Sequence, residues 1–260
     1  MTDHVAKRRF GQHFLHDPGV IERILRALDP QPDEAIVEIG PGLGALTIPL
    51  LQRLGRLTVV EIDRDVIPLL RSRCNNHPGL HVIEADALTV DYRALAPPGT
   101  RIRLVGNLPY NISTPLLFHL LGQSEAITDM HFMLQKEVVD RMAAAPGDPA
   151  YGRLSVALTA RCAVSSLFHV GPGAFRPPPK VDSAVVRLRP RTPDFTVCDL
   201  PLFDRVVASA FGQRRKTLAN ALKGLADART IARAGIDPRA RAETLHARDF
   251  ARLANLLHTG

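Results

Sequence analysis

Short apolar runs alternate with helix-like stretches from Ala35 to Gln135, and that alternation limits the chain to very few architectures. Ala35–Gly40, Leu57–Asp63, Leu80–Asp86, Arg101–Leu108 and Met130–Gln135 carry the β-branched and apolar residues of strands. Leu43–Leu54, Asp65–Cys74 and a stretch from about Thr114 to Leu121 fall between them and read as helices. Strands that alternate with helices build a parallel, doubly wound sheet. Ahead of this pattern, residues 18–28 place Val20, Ile21, Ile24, Leu25 and Leu28 on one helical face. Asp17 is suited to cap that helix and Pro18 to open it.

The pattern changes further on. Leu154–Cys162 predicts a helix, and Val164–Val170 and Ser183–Arg189 then read as two strands with no helix between them. They are joined through Gly171-Pro172-Gly173 and the proline run Pro177-Pro178-Pro179. Two such strands predict an antiparallel ribbon at the end of the sheet, an ending typical of Rossmann-like methyltransferases as opposed to dehydrogenases. A break from Pro190 to Pro201 is followed by helical patterns only, at Leu202–Phe211, Arg214–Leu225, Ala228–Ala234 and Ala247–Leu257. The expected organisation is an α/β domain over residues 1–190, with residues 1–17 a flexible N-terminal segment, and a small all-helical domain over 191–260.

Charge follows the same division. The chain carries a net charge of +7. Residues 191–260 hold 12 Lys and Arg against 7 Asp and Glu, whereas residues 1–190 hold 21 against 19. A near-neutral body with a basic appendage fits a catalytic domain joined to a nucleic-acid-binding element. No apolar stretch is long enough to span a bilayer, and the basic residues Lys7, Arg8 and Arg9 are not followed by the apolar core of a signal peptide. A cytoplasmic location and no membrane association are expected. Cys74, Cys162 and Cys198 are far apart, form no C-x-x-C and follow no proline. That spacing predicts neither a metal site nor disulfides, and it lacks the Pro-Cys nucleophile of cytosine-C5 methyltransferases.

Gly40-Pro41-Gly42-Leu43-Gly44 follows a predicted strand and opens a predicted helix, with Glu38 just before it. Glycines let backbone approach a ligand closely, and a helix start presents free N–H groups. The spacing is G-x-G-x-G, not the G-x-G-x-x-G of dinucleotide binders, and a donor with no pyrophosphate does not need the later glycine. Glu61 lies 21 residues after Gly40, near the end of the next strand, where a carboxylate accepts hydrogen bonds from both hydroxyls of a ribose. Asp63 competes for that role, although Asp63 and Asp65 better suit the strand end and the cap of the next helix. Asp86 ends the third strand and is placed to meet an adenine amino group. Together these residues suggest a pocket for an adenosyl group.

Asn107-Leu108-Pro109-Tyr110 ends the fourth strand of the series. The exocyclic nitrogen of adenine is a poor nucleophile because its lone pair is delocalised into the ring. Acceptors that take its N–H bonds pull it toward tetrahedral geometry, and the Asn107 side-chain oxygen with the Leu108 carbonyl can serve. Pro109 removes a competing N–H and fixes φ. Tyr110 offers a ring face to the base, which must be unpaired or flipped out to reach it. Phe175, in a stiff loop beside the predicted ribbon, is a second aromatic candidate to close on the base from the other side.

With these motifs in order, the chain resembles the ribosomal small-subunit (16S) rRNA adenine N6,N6-dimethyltransferases along nearly its whole length. Lys7–Leu15 looks like their N-terminal signature, Val37–Gly44 is similar to their cofactor motif, Asn107–Ser113 to their catalytic motif, and Phe211–Leu218 to the signature of their helical domain. The resemblance implies S-adenosyl-L-methionine as methyl donor and four methyl transfers to two adjacent adenines in a hairpin loop near the 3′ end of 16S rRNA. The partner it implies is the small ribosomal subunit or its precursor, met by a monomer. It also implies cofactor contacts at His13, Leu15, Gly40, Glu61, Asp86 and Asn107, and the glycine loop adds Gly42 as a further cofactor-binding candidate. Many members carry Asn where this chain has His13, and histidine still donates or accepts a hydrogen bond. Lys7, Arg8 and Arg9, with a helical cluster of Arg214, Arg215, Lys216 and Lys223, are expected to grip the rRNA backbone independently of sequence. Large-subunit (23S) dimethyltransferases that confer macrolide resistance share the fold and clamp, but Leu108 and the Phe211–Leu218 motif favour the small-subunit branch. A non-catalytic RNA-binding assembly factor on the same fold is the rival from another class.

Overall fold

In a computed structural model the described residues are 12–213 and 215–259. They divide into two compact units. One holds the described residues up to Val139 together with Ser165–Pro190, and the other holds Asp140–Val164 with Arg191 onward. In chain order the elements of the first half are β1 (Phe14–Leu15), α1 (Pro18–Leu28), β2 (Ala35–Ile39), α2 (Thr47–Leu54), β3 (Leu57–Glu61), α3 (Val66–Arg73), β4 (Leu80–Glu84), β5 (Ile102–Asn107), α4 (Ser113–Leu121) and β6 (Ile127–Gln135). There follow α5 (Lys136–Ala143), α6 (Arg153–Thr159), β7 (Cys162–Val170), β8 (Phe175–Arg176), β9 (Ser183–Pro190), α7 (Leu200–Gly212), α8 (Leu218–Ala221), α9 (Ala228–Arg233) and α10 (Ala247–His258).

Seven strands form one sheet in the order β4-β3-β2-β5-β6-β9-β7. Pairs β4–β3, β3–β2, β2–β5 and β5–β6 are parallel, and β9 lies antiparallel to β6. The chain moves outward from β2 to β4, then returns to place β5 on the other side of β2. That reversal opens a crevice at the carboxyl ends of β2 and β5, where open α/β sheets bind ligands. The architecture is the Rossmann-like α/β sheet expected from the alternation, with two late strands beside β6.

Local chemistry accounts for these elements. The Asp17 carboxylate accepts from the Val20 N–H at 2.9 Å, Pro18 opens α1, and Ile24, Leu25 and Leu28 are buried against the sheet. Arg103 of β5 bonds Asp129 of β6, Glu34 and the Leu28 carbonyl, which ties the loop after α1 to two strands. Gly106 of β5 passes so near β2 that a β-carbon there would lie 2.4 Å from the Ile39 carbonyl oxygen. That close approach brings the end of β5 against the glycine loop. α2 starts at Thr47, later than the expected Leu43, because Gly42 and Gly44 hold left-handed backbone in the turn before it.

Two expectations are corrected by long-range pairing. Residues 14–15, placed by sequence in a flexible segment, form β1 and pair antiparallel with β8, Leu15 opposite Phe175. The His16 N–H adds a bond to the Ala174 carbonyl at 3.0 Å. Cys162, read as the end of a helix, instead begins β7.

The second unit has its own core, built by Phe203, Val206 and Val207 of α7, Leu218 of α8, Ile231 of α9 and Phe250 and Leu253 of α10. Asp199 and Asp227 cap α7 and α9 through the Leu202 and Thr230 N–H groups. The helix expected over Arg214–Leu225 is a further correction. Only Leu218–Ala221 is α-helical, and the Leu218 and Ala219 N–H groups bond the Ala240 and Pro238 carbonyls. Gly224, with φ at 89°, closes that short helix off.

Candidate active site

A cavity opens at the carboxyl ends of β2, β3, β4 and β5, and the first unit supplies its whole lining. The glycine loop forms its floor. Gly42 has φ at 52°, and a β-carbon there would come within 3.0 Å of the Phe14 ring. Glycine lets the loop take this turn and lets the Phe14 ring pack close against it.

Glu61 ends β3 on the cavity wall, 7% exposed, where its carboxyl oxygens accept from the Asp63 N–H at 2.9 Å and the Gly42 N–H at 3.4 Å. Burial raises its pKa, and those two N–H groups oppose the rise. Asp63, the competing acid, is turned elsewhere: it accepts from the Gln12 amide at 2.9 Å and from the Asp65 N–H. Asp86 also lines the cavity, and its Oδ1 accepts from the Leu88 N–H at 2.9 Å.

Sequence reasoning did not assign a role to Glu38. It is 2% exposed, lines the cavity and accepts from the Thr47 hydroxyl at 2.7 Å. Burial pushes its carboxyl up to about 8, with the nearby Glu61 charge adding to the rise. Near neutral pH Glu38 is therefore mostly protonated and enters the wall as a neutral hydrogen-bonding group. The signal for Glu38 was present as the acid two residues before Gly40, but nothing in the sequence showed its depth.

The Asn107–Tyr110 turn forms the opposite wall. The Asn107 amide nitrogen donates to the His13 carbonyl at 2.8 Å, which leaves Oδ1 as an acceptor. The Leu108 side chain is buried and its N–H bonds the Met133 carbonyl. The Tyr110 hydroxyl shares a 2.7 Å hydrogen bond with Ser183, and the Ser113 hydroxyl donates to the Tyr110 carbonyl. Burial raises the Tyr110 phenol pKa against the Ser183 bond. The tyrosine is therefore fixed at both ends while it still faces the cavity.

His13 lies on this same wall. Its Nδ1 bonds the Pro177 carbonyl at 2.8 Å, and its ring stacks on Tyr110 with centroids 5.6 Å apart and planes 29° from parallel. Leu15 lines the cavity from β1. Phe175 requires a correction. It is 2% exposed and packs in the core with Leu15 and Val185, because strand β8 turns its ring inward against β1. It supports the N-terminal strand and does not line the cavity.

The residues present fit an adenosyl donor. Glu61 can accept from ribose hydroxyls, Asp86 stands one strand further out for a base edge, and exposed Ile62 offers an apolar surface beside them. The expected RNA-gripping residues are divided. Lys7, Arg8, Arg9 and Arg214 lie outside the described residues. Arg215, Lys216 and Lys223 are exposed on the second unit, Arg215 and Lys216 on the turn between α7 and α8 and not on a helix.

Comparison with known proteins follows the same lines. The model of the family described as ribosomal RNA adenine dimethylase matches residues 3–259. The protein named ribosomal RNA small subunit methyltransferase A from Nitrosococcus oceani is 57% identical over 251 residues, 96% of this chain and 95% of that one. Its namesake from Xanthomonas euvesicatoria pv. vesicatoria is 58% identical over 252 residues, 96% of each chain. Among solved structures, a dimethyladenosine transferase from Plasmodium falciparum superposes with a TM-score of 0.77 at 27% identity, covering 93% of this chain and 96% of that one. The 23S rRNA methyltransferase ErmE gives 0.68 at 28% identity, covering 94% and 99%.

Proposed function

The chain belongs to the ribosomal RNA adenine dimethylase family, and we infer from that membership that it is a 16S rRNA adenine-N6,N6 dimethyltransferase. It uses S-adenosyl-L-methionine to methylate two adjacent adenines in a hairpin loop near the 3′ end of 16S rRNA, as a step in small-subunit biogenesis. The small-subunit reading rests on relatives of that name at 57% and 58% identity, against 28% for ErmE. Its geometric support is the anchored Asn107, which lines the cavity and whose amide nitrogen is committed to the His13 carbonyl, so that its oxygen is left to accept from a substrate amine.

The donor, when bound, supplies a methyl group activated by a sulfonium. The chain's own residues do the rest. Glu61 and Asp86 fix the adenosyl moiety, Gly40 and Gly42 let the backbone close on it, and His13 and Leu15 close it from the N-terminal side. Asn107 Oδ1 and the Leu108 carbonyl accept the N–H bonds of the target amine, which concentrates its lone pair on nitrogen and directs it at the methyl group. Pro109 presents no competing donor. Tyr110, held by Ser183, supports the flat face of the base. The amine would thus react without a strong base: the N–CH3 bond would form as the S–CH3 bond of the donor breaks, and the proton lost from nitrogen would pass to solvent, because the Asn107 and Leu108 oxygens accept hydrogen bonds and do not keep a proton.

The helical residues 191–260, with Arg215, Lys216 and Lys223 exposed, bind the rRNA backbone in this scheme, and Lys7, Arg8, Arg9 and Arg214 extend that grip by sequence. The protein acts as a monomer in the cytoplasm, on the small subunit or its precursor. Among the described residues no helix is long and apolar enough to cross a membrane. The test is methyl transfer from labelled donor to separated, unmethylated subunits. Label in small-subunit rRNA alone supports this reading, and label in large-subunit rRNA overturns it.

A further inference from the structure

We propose that the loop from Arg176 to Asp182 is a phosphate-binding element of the first unit, in which Arg176 and Lys180 hold the RNA backbone beside the flipped adenine. The proposal rests on the adenine-methylation reading above and adds to it a grip distinct from the basic residues of the second unit.

Three observations carry it. The first is where the loop is tied. His13 Nδ1 donates to the Pro177 carbonyl at 2.8 Å, and the Lys136 N–H donates to the Asp182 carbonyl at 2.9 Å. The next residue, Ser183, shares its 2.7 Å bond with the Tyr110 hydroxyl. His13 and Tyr110 both line the cavity, so the loop is fastened to the cavity wall at each end. The second is what the loop presents. Phe175 and Pro179 are buried, and the residues that follow them, Arg176 and Lys180, are exposed. Pro177, Pro178 and Pro179 have φ fixed by their rings, so the two cations stand on a stiff support and less backbone freedom is lost when they bind. The third is unbalanced charge. Among the described residues neither Arg176 nor Lys180 makes an ion pair or a hydrogen bond. The one carboxylate of the loop, Asp182, lies 3.3 Å from His169 Nε2. By contrast, the exposed Arg64, Arg93 and Arg252 each sit on a carboxylate.

The cavity itself creates the need for such a grip. Among the described residues that line it there is no Lys or Arg, and Glu61 and Asp86 are acids. A base can enter this pocket, but the phosphates attached to its nucleotide cannot be neutralised there. They must stay at the rim, where cations without carboxylate partners are worth most. Four residues of extended chain span at most about 14 Å, so Arg176 and Lys180 can serve phosphates within one short stretch of strand. The guanidinium fork suits two phosphate oxygens at once, and the lysine adds a mobile point charge. The contacts carry no sequence information. They fix the register of the strand so that one base is presented to Asn107 and Tyr110.

The experiment measures equilibrium binding to unmethylated small subunits across a salt series. It compares wild type, Arg176→Gln with Lys180→Gln, and the charge-keeping Arg176→Lys with Lys180→Arg, with thermal melting of each as a folding control. Loss of two contacts to a single strand should weaken binding about tenfold at low salt and lower the slope of log affinity against log salt by about 1.4, at about 0.7 for each phosphate. The charge-keeping pair should bind close to wild type, and the KM for donor should not move in either variant. An unaltered slope overturns the proposal. So does a loss that the charge-keeping pair does not restore, or a rise confined to the donor KM. Position is read separately, from an iron chelate attached to Lys180→Cys in a chain that also carries Cys198→Ser, because Cys74 and Cys162 are buried and Cys198 is exposed. Hydroxyl radicals released there should cut the hairpin loop beside the target adenines, and cuts confined to other parts of the rRNA overturn the proposal. Binding and cleavage need no methyl transfer. Absence of transfer by wild type itself would therefore count against the reaction assignment and not against the role of this loop.

Discussion

Substitutions at Asn107 test the anchoring and chemical roles of one residue, Ala removing both and Asp only the first. Its amide makes a 2.8 Å bond to the His13 carbonyl, a half-buried neutral contact that contributes about 0.5–1.5 kcal/mol. Its oxygen is proposed to accept from the target amine, and loss of one preorganised polar contact at a reacting group costs about 10²–10³ in kcat. Asn107→Ala should therefore lower the single-turnover methylation rate by about two to three orders of magnitude. RNA affinity should stay within a few-fold, because no phosphate contact is touched. Asn107→Asp keeps acceptor oxygens but cannot donate to the His13 carbonyl, so its rate should fall between wild type and Ala. The assay is rapid-quench transfer from labelled donor, with RNA affinity measured separately by filter binding. An Ala variant that reacts within about threefold of wild type would refute the clamp.

Other perturbations test the surroundings of that turn. Burial raises Glu38 from 4.5 to about 8, so the folded protein holds a proton there that the unfolded chain releases between those values. This contribution to stability is full below pH 4.5 and is lost as pH rises through about 8, with a slope of at most about 1.4 kcal/mol per pH unit. Glu38→Gln should flatten the fall in melting temperature between pH 5.5 and 8.5, and an unchanged slope would contradict the assigned burial. Gly106→Ala places a β-carbon 2.4 Å from the Ile39 carbonyl oxygen, so β2 and β5 must separate. Destabilisation of about 3 kcal/mol is expected in denaturant unfolding, and a loss below about 1 kcal/mol would show that the strands yield easily. Arg215→Ala with Lys216→Ala should weaken rRNA binding and lower the slope of log affinity against log salt by about 1–2, whereas an unaltered slope removes both from the phosphate contacts.

The parts of the fold that were legible in the sequence are those set by local chemistry. Pro18–Leu28 was readable to the residue because Asp17, Pro18 and the apolar face all act within one helix. The five strands β2 to β6 were readable because each is a compact apolar run. What escaped depends on groups far apart in sequence. The β1–β8 pair joins residues about 160 positions apart, and two-residue strands carry no periodicity. Leu218, Leu222 and Leu225 mimic a continuing helix, yet the backbone bonds to Pro238 and Ala240 and the left-handed Gly224 interrupt it. That the glycine loop, Glu61, Asp86 and Asn107 would meet at one cavity was readable from order and spacing. Phe175 was misread because its inward orientation is fixed by pairing with Leu15, and a proline-rich loop gives no sign of which side an aromatic will take. The stacking of His13 on Tyr110 was invisible for the same reason, since it depends on where β1 docks.

The central claim is that the cavity at the ends of β2 to β5 aims a methyl donor at an amine held by Asn107 and Tyr110. A crystal structure of the protein with S-adenosylhomocysteine, the demethylated product, tests it most directly. The account predicts the ribose hydroxyls on the Glu61 carboxylate, the adenine edge beside Asp86 and the sulfur turned toward Asn107 and Tyr110. A product bound outside this cavity, or one whose sulfur faces away from that turn, would contradict it.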